Sequence, residues 1–319
     1  MKTTARLLLV GLLAVSAAAF AQAYPSRPVK IVVAFPPGGG NDFIARFVAA
    51  RLSASMGQQF VVENRPGAGG TIGVETGLKA PADGYTLTLI SNSYCVNPSL
   101  YPLKFDPVED MTPVIQISQG PYVIVVHPSL PVKNLRELIE MGKAKPDAIN
   151  FASSGQGSVA HLATELFASM AGFKLNHVPY KGTGPALSDT VGGQTNAMLG
   201  SVSTTLPHVR AGRLRALAVT TTYRISAEPG IPTVAESGVP GYQTVLWHGL
   251  IGPKGLPAPI VERLNAEVTR VLKLKEASDQ LQNDGVSPAG GTPEAFREAI
   301  RQEIETWRKV VREAGVKTE

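Results

Sequence analysis

The chain has 319 residues, 30 Lys and Arg against 25 Asp and Glu for a net charge of +5, and 44% hydrophobic residues. Its basic residues are scattered and several share helices with glutamate, so no nucleic-acid partner is expected. A single cysteine, Cys95, excludes an internal disulfide and any cysteine-based metal cluster, so stability must come from the core. With no metal-ligand or nucleotide motif elsewhere, no metal or cofactor is expected.

Lys2 and Arg6 precede the apolar run Leu7–Ala19 and the small-residue triplet Ala21-Gln22-Ala23, the pattern of a signal peptide spanning 1–23 and cleaved before Tyr24. A membrane anchor would need about 20 apolar residues and no such triplet. The mature chain is expected outside the cytoplasm, and its length suits two lobes better than one core.

Val29–Phe35, Gln59–Glu63 and Tyr85–Ile90 read as strands, each followed by small residues and then helical spacing. That is the pattern of βαβ units and a parallel sheet. The first helix puts Phe43, Ile44, Phe47, Val48 and Leu52 on one face. Strand-like runs at Val114–Ser118 and Tyr122–His127, separated by Gly120-Pro121, mark a change of unit. A second series follows: a helix at Leu135–Ala144, a strand at Ile149–Ala152 and a helix at Val159–Ala171 stopped by Gly172. His177–Pro179, Asn196–Leu199 and Leu214–Thr220 supply further strands, and Thr244–Gly252 is expected to cross back to the first unit. Pro257 opens one amphipathic helix. Thr292 and Pro293 open another, with the stripe Phe296, Ile300, Ile304, Trp307 and Val311 facing the core. The expected fold class is α/β, in two lobes of mainly parallel sheet flanked by helices. Residues 24–120 with 245–319 form the first lobe and 121–244 the second.

The junction between the first strand and helix reads Phe35-Pro36-Pro37-Gly38-Gly39-Gly40-Asn41-Asp42. Glycine removes the Cβ, so amides at the helix start can approach a guest closely. Those amides lack intrahelical partners and sit at the positive end of the helix dipole, a site for a phosphate or carboxylate. The motif recurs in the second series, where Ser153, Ser154, Gly157 and Ser158 lead into a helix that carries His161. Open α/β sheets bind ligands at such strand ends, so two facing lobes would bring both helix starts to one small anion. Each loop taken alone also fits a plain tight turn with a helix cap. Ser91 and Ser93, and Gly200, Ser201 and Thr204, end further strands in small and hydroxyl residues suited to a carboxylate. Tyr180 is a further pocket candidate. Trp247 and His248 on the returning strand either flank the ligand or pack in the hinge.

Catalytic patterns are scarce. Gly67-Ala-Gly-Gly-Thr-Ile-Gly73 lacks the G-x-G-x-x-G spacing and the acidic residue of a dinucleotide site. Ser158 and His161 could form a hydrolase-like pair, but no acidic orienter is placed beside them. An enzyme, nucleotide-dependent or hydrolytic, is therefore the secondary reading, and none is expected.

Several motifs together resemble the Bug family of periplasmic solute receptors, the extracytoplasmic binding proteins of tripartite tricarboxylate transporters. They are Tyr24-Pro-Ser-Arg-Pro, Phe35-Pro-Pro-Gly-Gly-Gly, Val62-Glu-Asn-Arg-Pro-Gly-Ala-Gly-Gly70, Asp83-Gly-Tyr, Asn97-Pro-Ser-Leu-Tyr101, His177-Val-Pro-Tyr-Lys-Gly182, Gly212-Arg-Leu-Arg-Ala-Leu-Ala-Val219 and Pro232-Thr-Val-Ala-Glu236. The likeness runs from Tyr24 to about Gly315. It implies a two-lobed "Venus flytrap" that is monomeric, lies in the periplasm, closes on a carboxylated small molecule and delivers it to integral-membrane transporter subunits. A sensor presenting its closed form to a membrane kinase would need the same motion. The resemblance also implies that amides, hydroxyls and water from Pro36–Asp42 and Ser153–Ser158 hold the carboxylate, helped by Ser91–Ser93 and Ser201–Thr205. Many family members carry an aspartate where this chain has Gly200. Its absence disfavours an amino acid and favours a plain carboxylate, with glycine expected to leave room in the pocket.

Overall fold

Glycine and proline cut the chain into short strands and helices, which the computed structural model, describing residues 24–314 apart from residue 147, arranges around two sheets. The expected leader, 1–23, lies outside the described residues. In the first stretch β1 (Val29–Val33) leads into α1 (Gly40–Met56). β2 (Phe60–Asn64) leads through a 3-10 turn into α2 (Thr71–Leu78), and β3 (Thr86–Ser91) into α3 (Ser93–Leu100). β1 lies between β2 and β3, parallel to both. The apolar spacing of α1 buries Ile44, Phe47, Val48 and Leu52, and Gly57 ends the helix with a left-handed residue at φ 72°.

β4 (Met111–Gly120) belongs to this sheet, and β5 (Tyr122–Val126), one residue further on, to the other. Pro121 stands between them. The second sheet then adds α4 (Leu135–Ala144), β6 (Asn150–Ser153), α5 (Val159–Ala171), β7 (Asn176–Pro179), α6 (Thr183–Val191), β8 (Ala197–Ser201), α7 (Val202–Arg210) and β9 (Arg215–Val219). β6 lies between β7 and β8, parallel to both, which repeats the setting of β1. β10 (Leu246–Pro253) returns to the first sheet between β3 and β4. α8 (Ala258–Lys273), α9 (Lys275–Asn283), the edge strand β11 (Ser287–Gly290) and α10 (Pro293–Ala314) complete it.

The sheets run β11-β4-β10-β3-β1-β2 and β7-β6-β8-β5-β9. Each is mixed, which corrects the expectation of mainly parallel sheets. β10 runs antiparallel to β3 and β4, and β5 to β8 and β9. Parallel pairing needs a crossover connection, usually a helix, and the strands that carry the chain between sheets have none. Where they cross, Thr220 ties the two passages together. Tyr122 N donates to Thr220 Oγ1 at 2.9 Å, and Thr220 Oγ1 donates to Thr244 O at 2.8 Å.

The stripe of α10 packs as its spacing predicts, with Phe296, Ile300, Ile304, Trp307 and Val311 all buried, against α3 and β4. Each such side chain contributes on the order of 2 kcal/mol of burial energy. Cys95 is a free thiol under this helix. Ile44 and Leu52 of α1, Leu264 and Val268 of α8 and Leu281 of α9 fill the opposite face of the first sheet. With both sheets held from behind, the ends of β1, β3, β6 and β8 are free to face each other.

Candidate functional site

At those ends the two sheets enclose a cavity with about 20 Å³ of free space, room for roughly one water. One wall comes from Phe35, Gly40 and Asn41 at the start of α1 and from Ser91 and Ser93 around the start of α3. Leu246 and His248 of β10 form the back. The facing wall comes from Tyr122, Ser154, Thr183 at the start of α6, and Ser201 at the start of α7. Six of these side chains are hydroxyls, and no charged side chain lines the space. Two buried polar atoms in it, Asn41 Oδ1 and His248 Nε2, have no hydrogen-bond partner.

The walls meet through glycines. A Cβ on Gly40 would sit 2.7 Å from Ser201 Oγ, and one on Gly184 would sit 2.5 Å from Pro37 O. Tyr101 of the first lobe also donates its hydroxyl to Gln156 O of the second at 2.8 Å. This is the shut form of a cleft. α1 begins without a side-chain cap, and the first-turn amides of Gly40 and Asn41 have no intrahelical partner.

Of the expected site residues the structure brings together Phe35, Asn41, Ser91, Ser93, Ser154, Ser201 and His248. Pro36, Pro37 and Gly39 form the lip where the lobes touch, with Pro36 packed on Gly182 and Gly39 on Thr183. Gly38 and Asp42 are already engaged. Gly38 N donates to Asp42 Oδ2 at 3.1 Å, and the same carboxylate takes Arg46 Nε at 2.9 Å and Asn64 Nδ2 at 3.0 Å. Burial alone would raise the Asp42 pKa, but the hydrogen bonds from Arg46, Gly38 and Asn64 outweigh it and hold the carboxyl below its usual range. Asp42 thus braces the loop from behind.

The second loop corrects the expectation more strongly, because its expected donors other than Ser154 are committed within the loop or to neighbouring histidines. Gly157 N donates to His161 Nδ1 at 3.1 Å and Ser158 N to Gly155 O at 3.1 Å. Ser158 Oγ caps the helix by accepting His161 N at 3.2 Å. Ser153 faces the other way, 2.6 Å from His177 Nε2, and that imidazole stacks on His161 with ring centroids 3.8 Å apart. Burial lowers His161 to about 4. Burial, with the neighbouring His161, lowers His177 to about 3. Both rings are neutral structural braces. Only Ser154 of this loop reaches the cavity wall.

Four further expectations resolve by direction. Tyr180 points to Asp189, donating to Oδ2 at 2.7 Å. Thr204 stands behind Ser201, their hydroxyl oxygens 2.8 Å apart. Gly200 faces α7, where a Cβ would sit 2.4 Å from Thr205 Cγ2, so it leaves no room in the pocket. Trp247 turns into the core, edge-on to Phe296 at 5.4 Å, with its indole N–H donated to Glu303. Successive strand residues face opposite sides, so its neighbours Leu246 and His248 face the cavity. Burial lowers His248 to about 3, which keeps the imidazole neutral, and its Nδ1 lies 3.1 Å from Ser118 Oγ.

Gly40 lines the cavity within the expected run Pro36–Asp42, whereas Tyr122, Thr183 and Leu246 were not among the expected residues. Thr183 had a signal in Lys181-Gly182-Thr183-Gly184, a third strand–glycine–helix junction.

The arrangement does not suit the hydrolase reading. Ser158 Oγ donates to Gly155 O at 2.8 Å, and His161 Nδ1 is taken by a main-chain amide. The Gly67–Gly73 cluster has a packing role, since a Cβ on Gly73 would sit 2.6 Å from the Cα of Ala34. Among the described residues there is no group of three side chains able to hold a metal, and no helix is long and apolar enough to cross a membrane.

The profile of the tripartite tricarboxylate transporter family receptor, TctC, matches residues 44–316. Protein BugT of Bordetella pertussis is 40% identical over 306 residues, covering 95% of this chain and 94% of that one. Among solved structures, an R. palustris protein with adipate superposes with a TM-score of 0.90 at 38% identity, covering 92% of this chain and 99% of that one. Periplasmic binding protein BugD gives 0.88 at 33% identity, covering 93% and 100%. MatC from Rhodopseudomonas palustris with bound malate gives 0.85 at 32%, covering 90% and 100%. These are solute-binding receptors and not enzymes. The chain belongs to the tripartite tricarboxylate transporter receptors of the Bug type, periplasmic binding proteins with a two-lobed α/β fold.

Proposed function

We propose that the protein is a monomeric periplasmic receptor that captures an amine-free organic acid and delivers it to the integral-membrane subunits of a tripartite tricarboxylate-type transporter. The acid is a di-, tri- or aromatic carboxylate. The lobes are residues 24–120 with 245–319, and residues 121–244, and the leader is removed before Tyr24. The observation that carries this reading is the cavity wall, which is built from hydroxyls, an amide, an imidazole and helix-start amides with no charged side chain. A carboxylate accepts charge-assisted hydrogen bonds from such donors. An ammonium group would enter a wall without a carboxylate and lose its solvation uncompensated. Asp42, the acid of the α1 loop, is committed to Arg46 and Asn64. The relatives solved with adipate and malate hold ligands of the proposed class.

In this reading the amides of Gly40 and Asn41 hold one side of the carboxylate while Ser91, Ser93, Ser154, Thr183 and Ser201 complete its shell. Phe35 and Tyr122 supply apolar surface for the carbon chain. Free space of about 20 Å³ cannot hold such a molecule, so the lobes open to load and, with the acid between them, close less fully than in the form described here.

Titration calorimetry against malate, adipate, citrate, benzoate, aspartate and glutamate tests the reading. Binding of one or more amine-free acids with little response to the amino acids is expected. Tight binding of aspartate or glutamate and of none of the others would overturn it. Light scattering and intact mass of the exported protein test the monomer and the mature start at Tyr24.

A further inference from the structure

We propose that Ser118, which does not line the cavity, locks His248 in its Nε2–H tautomer, so that one neutral imidazole N–H is held in place for a guest oxygen. The identity of that oxygen as a carboxylate rests on the function proposed above. His248 lies in β10 between β3 and β4, and it is 1% exposed. Its Nδ1 is 3.1 Å from Ser118 Oγ. Its Nε2 is buried, unpartnered and close to the seam between lobes, since a Cβ on Gly40 would sit 3.7 Å from it and 2.7 Å from Ser201 Oγ.

The contact between Ser118 and His248 can carry its hydrogen in either direction, and the surroundings decide which. Ser118 is 0% exposed, and His248 is the partner its hydroxyl has. If Nδ1–H donated to Oγ, the serine hydroxyl proton would be left buried with no acceptor, which is the costly outcome for a polar group. If the hydroxyl donates to Nδ1, both groups are satisfied and the ring proton must sit on Nε2. Burial keeps the ring from taking a second proton, so the atom facing the cavity is a donor and stays neutral.

A neutral donor suits this site better than a cation would. It gives an anion a charge-assisted hydrogen bond without burying a positive charge in the empty cleft. It also discriminates, because a guest that offers N–H or O–H at that point meets another donor. Ser118 acts only through the ring, as a positioning residue, while His248 touches the guest.

Ring-15N histidine labelling tests the lock directly. The chain has five histidines, and the His248 signals are those missing from His248→Gln. The expected spectrum shows a protonated Nε2 and an unprotonated Nδ1 for His248, with mixed tautomers in Ser118→Ala. An Nδ1–H tautomer in the wild-type protein would overturn the proposal, whether or not a ligand is known. Calorimetry with malate and adipate as probes tests the consequence. His248→Phe should weaken binding about 10- to 100-fold, whereas His248→Gln, which keeps an N–H near the Nε2 position, should stay within about fivefold. Ser118→Ala should weaken it about 3- to 10-fold and also lower thermal stability, because it leaves the buried His248 Nδ1 without a partner. Equal affinity for His248→Phe and wild type would also overturn it. If neither probe nor any other carboxylate binds the wild type, the carboxylate reading fails by itself, and the tautomer measurement still decides the role of Ser118.

Discussion

Gly40 and Ser201 face each other across the cleft so closely that a Cβ on Gly40 would sit 2.7 Å from the Ser201 hydroxyl oxygen. Each stands at the start of a helix, Gly40 in α1 and Ser201 just before α7, and the helices belong to different sheets. The shut form therefore requires glycine at 40 for reasons of space. The position is ordinary helix, where alanine is the better former. Gly40→Ala should leave thermal stability unchanged or slightly raised while holding the lobes apart. A ligand bound through closure should then lose about tenfold or more in affinity. Small-angle scattering of the ligand-free protein should show the variant more extended than the wild type.

Ser158 is a helix cap, and its substitution should read as one. Its Oγ accepts His161 N at 3.2 Å and donates to Gly155 O at 2.8 Å. Ser158→Ala removes both bonds and should cost about 1 kcal/mol, within the usual 0.5–2 kcal/mol for a lost N-cap. Urea melts measure this. Because the hydroxyl is committed to the loop, ligand affinity should change less than in His248→Phe.

The parts of this molecule that were legible in the sequence are those where a local signal has one meaning. The helix α5 spans Val159–Ala171 as expected because Gly172 is left-handed and stops it. The α10 stripe was legible because its apolar spacing has one buried face. The glycine run before α1 stands where Gly39 and Gly40 meet Thr183 and Ser201 of the facing wall, a close approach of the two lobes rather than the approach to a guest that the sequence suggests. Side-chain direction at strand ends was not legible, since Ser153 and Ser154 are alike in sequence but face His177 and the cavity respectively. Nor could sequence choose between Trp247 and His248, because β10 is buried along its whole length and an all-buried strand shows no alternation. The helix α7 carries Pro207 internally, and α6 and α9 are only nine residues each, shorter than the about 11 residues over which a helical period is counted. The mixed pairing of the sheets follows from the crossing strands, a long-range fact with no local signature.

Gly200 gives a case where the structure reverses a sequence argument. It had been expected to leave room in the pocket, yet a Cβ there would sit 2.4 Å from Thr205 Cγ2 and 3.2 Å from Met198 Cε. Gly200→Ala should cost about 1–3 kcal/mol through overpacking. Gly200→Asp adds a carboxylate with no partner against α7, and should cost at least about 3 kcal/mol. The aspartate variant should not acquire affinity for amino acids. Thermal melts and calorimetry with glutamate measure the two effects, and a stable, glutamate-binding Gly200→Asp protein would contradict the geometry.

Glu303 on α10 joins the hinge strand to the last helix, and its titration should be visible. The Trp307 indole N–H donates to Oε1 at 2.9 Å, and the Trp247 indole N–H donates to Oε2. Burial pushes the carboxyl up to about 7 against the pull of these two bonds. In the unfolded chain it titrates near 4.5, so between those values the native state holds a proton that the unfolded state has released. The stabilisation from this group is full below pH 4.5 and is lost as pH rises through 7, on the order of 3 kcal/mol by pH 8. Glu303→Gln keeps a carbonyl acceptor but cannot ionise. Relative to wild type it should gain stability between pH 5 and pH 8 by about that amount. Trp247 and Trp307 are the two tryptophans of the chain. Intrinsic fluorescence of the wild type should therefore titrate with a midpoint near 7, and that of Glu303→Gln should be flat over the same range. A wild-type signal that is flat from pH 5 to 8 would mean that Glu303 does not titrate in that range, either because the two indoles hold it as an anion or because burial keeps it protonated throughout.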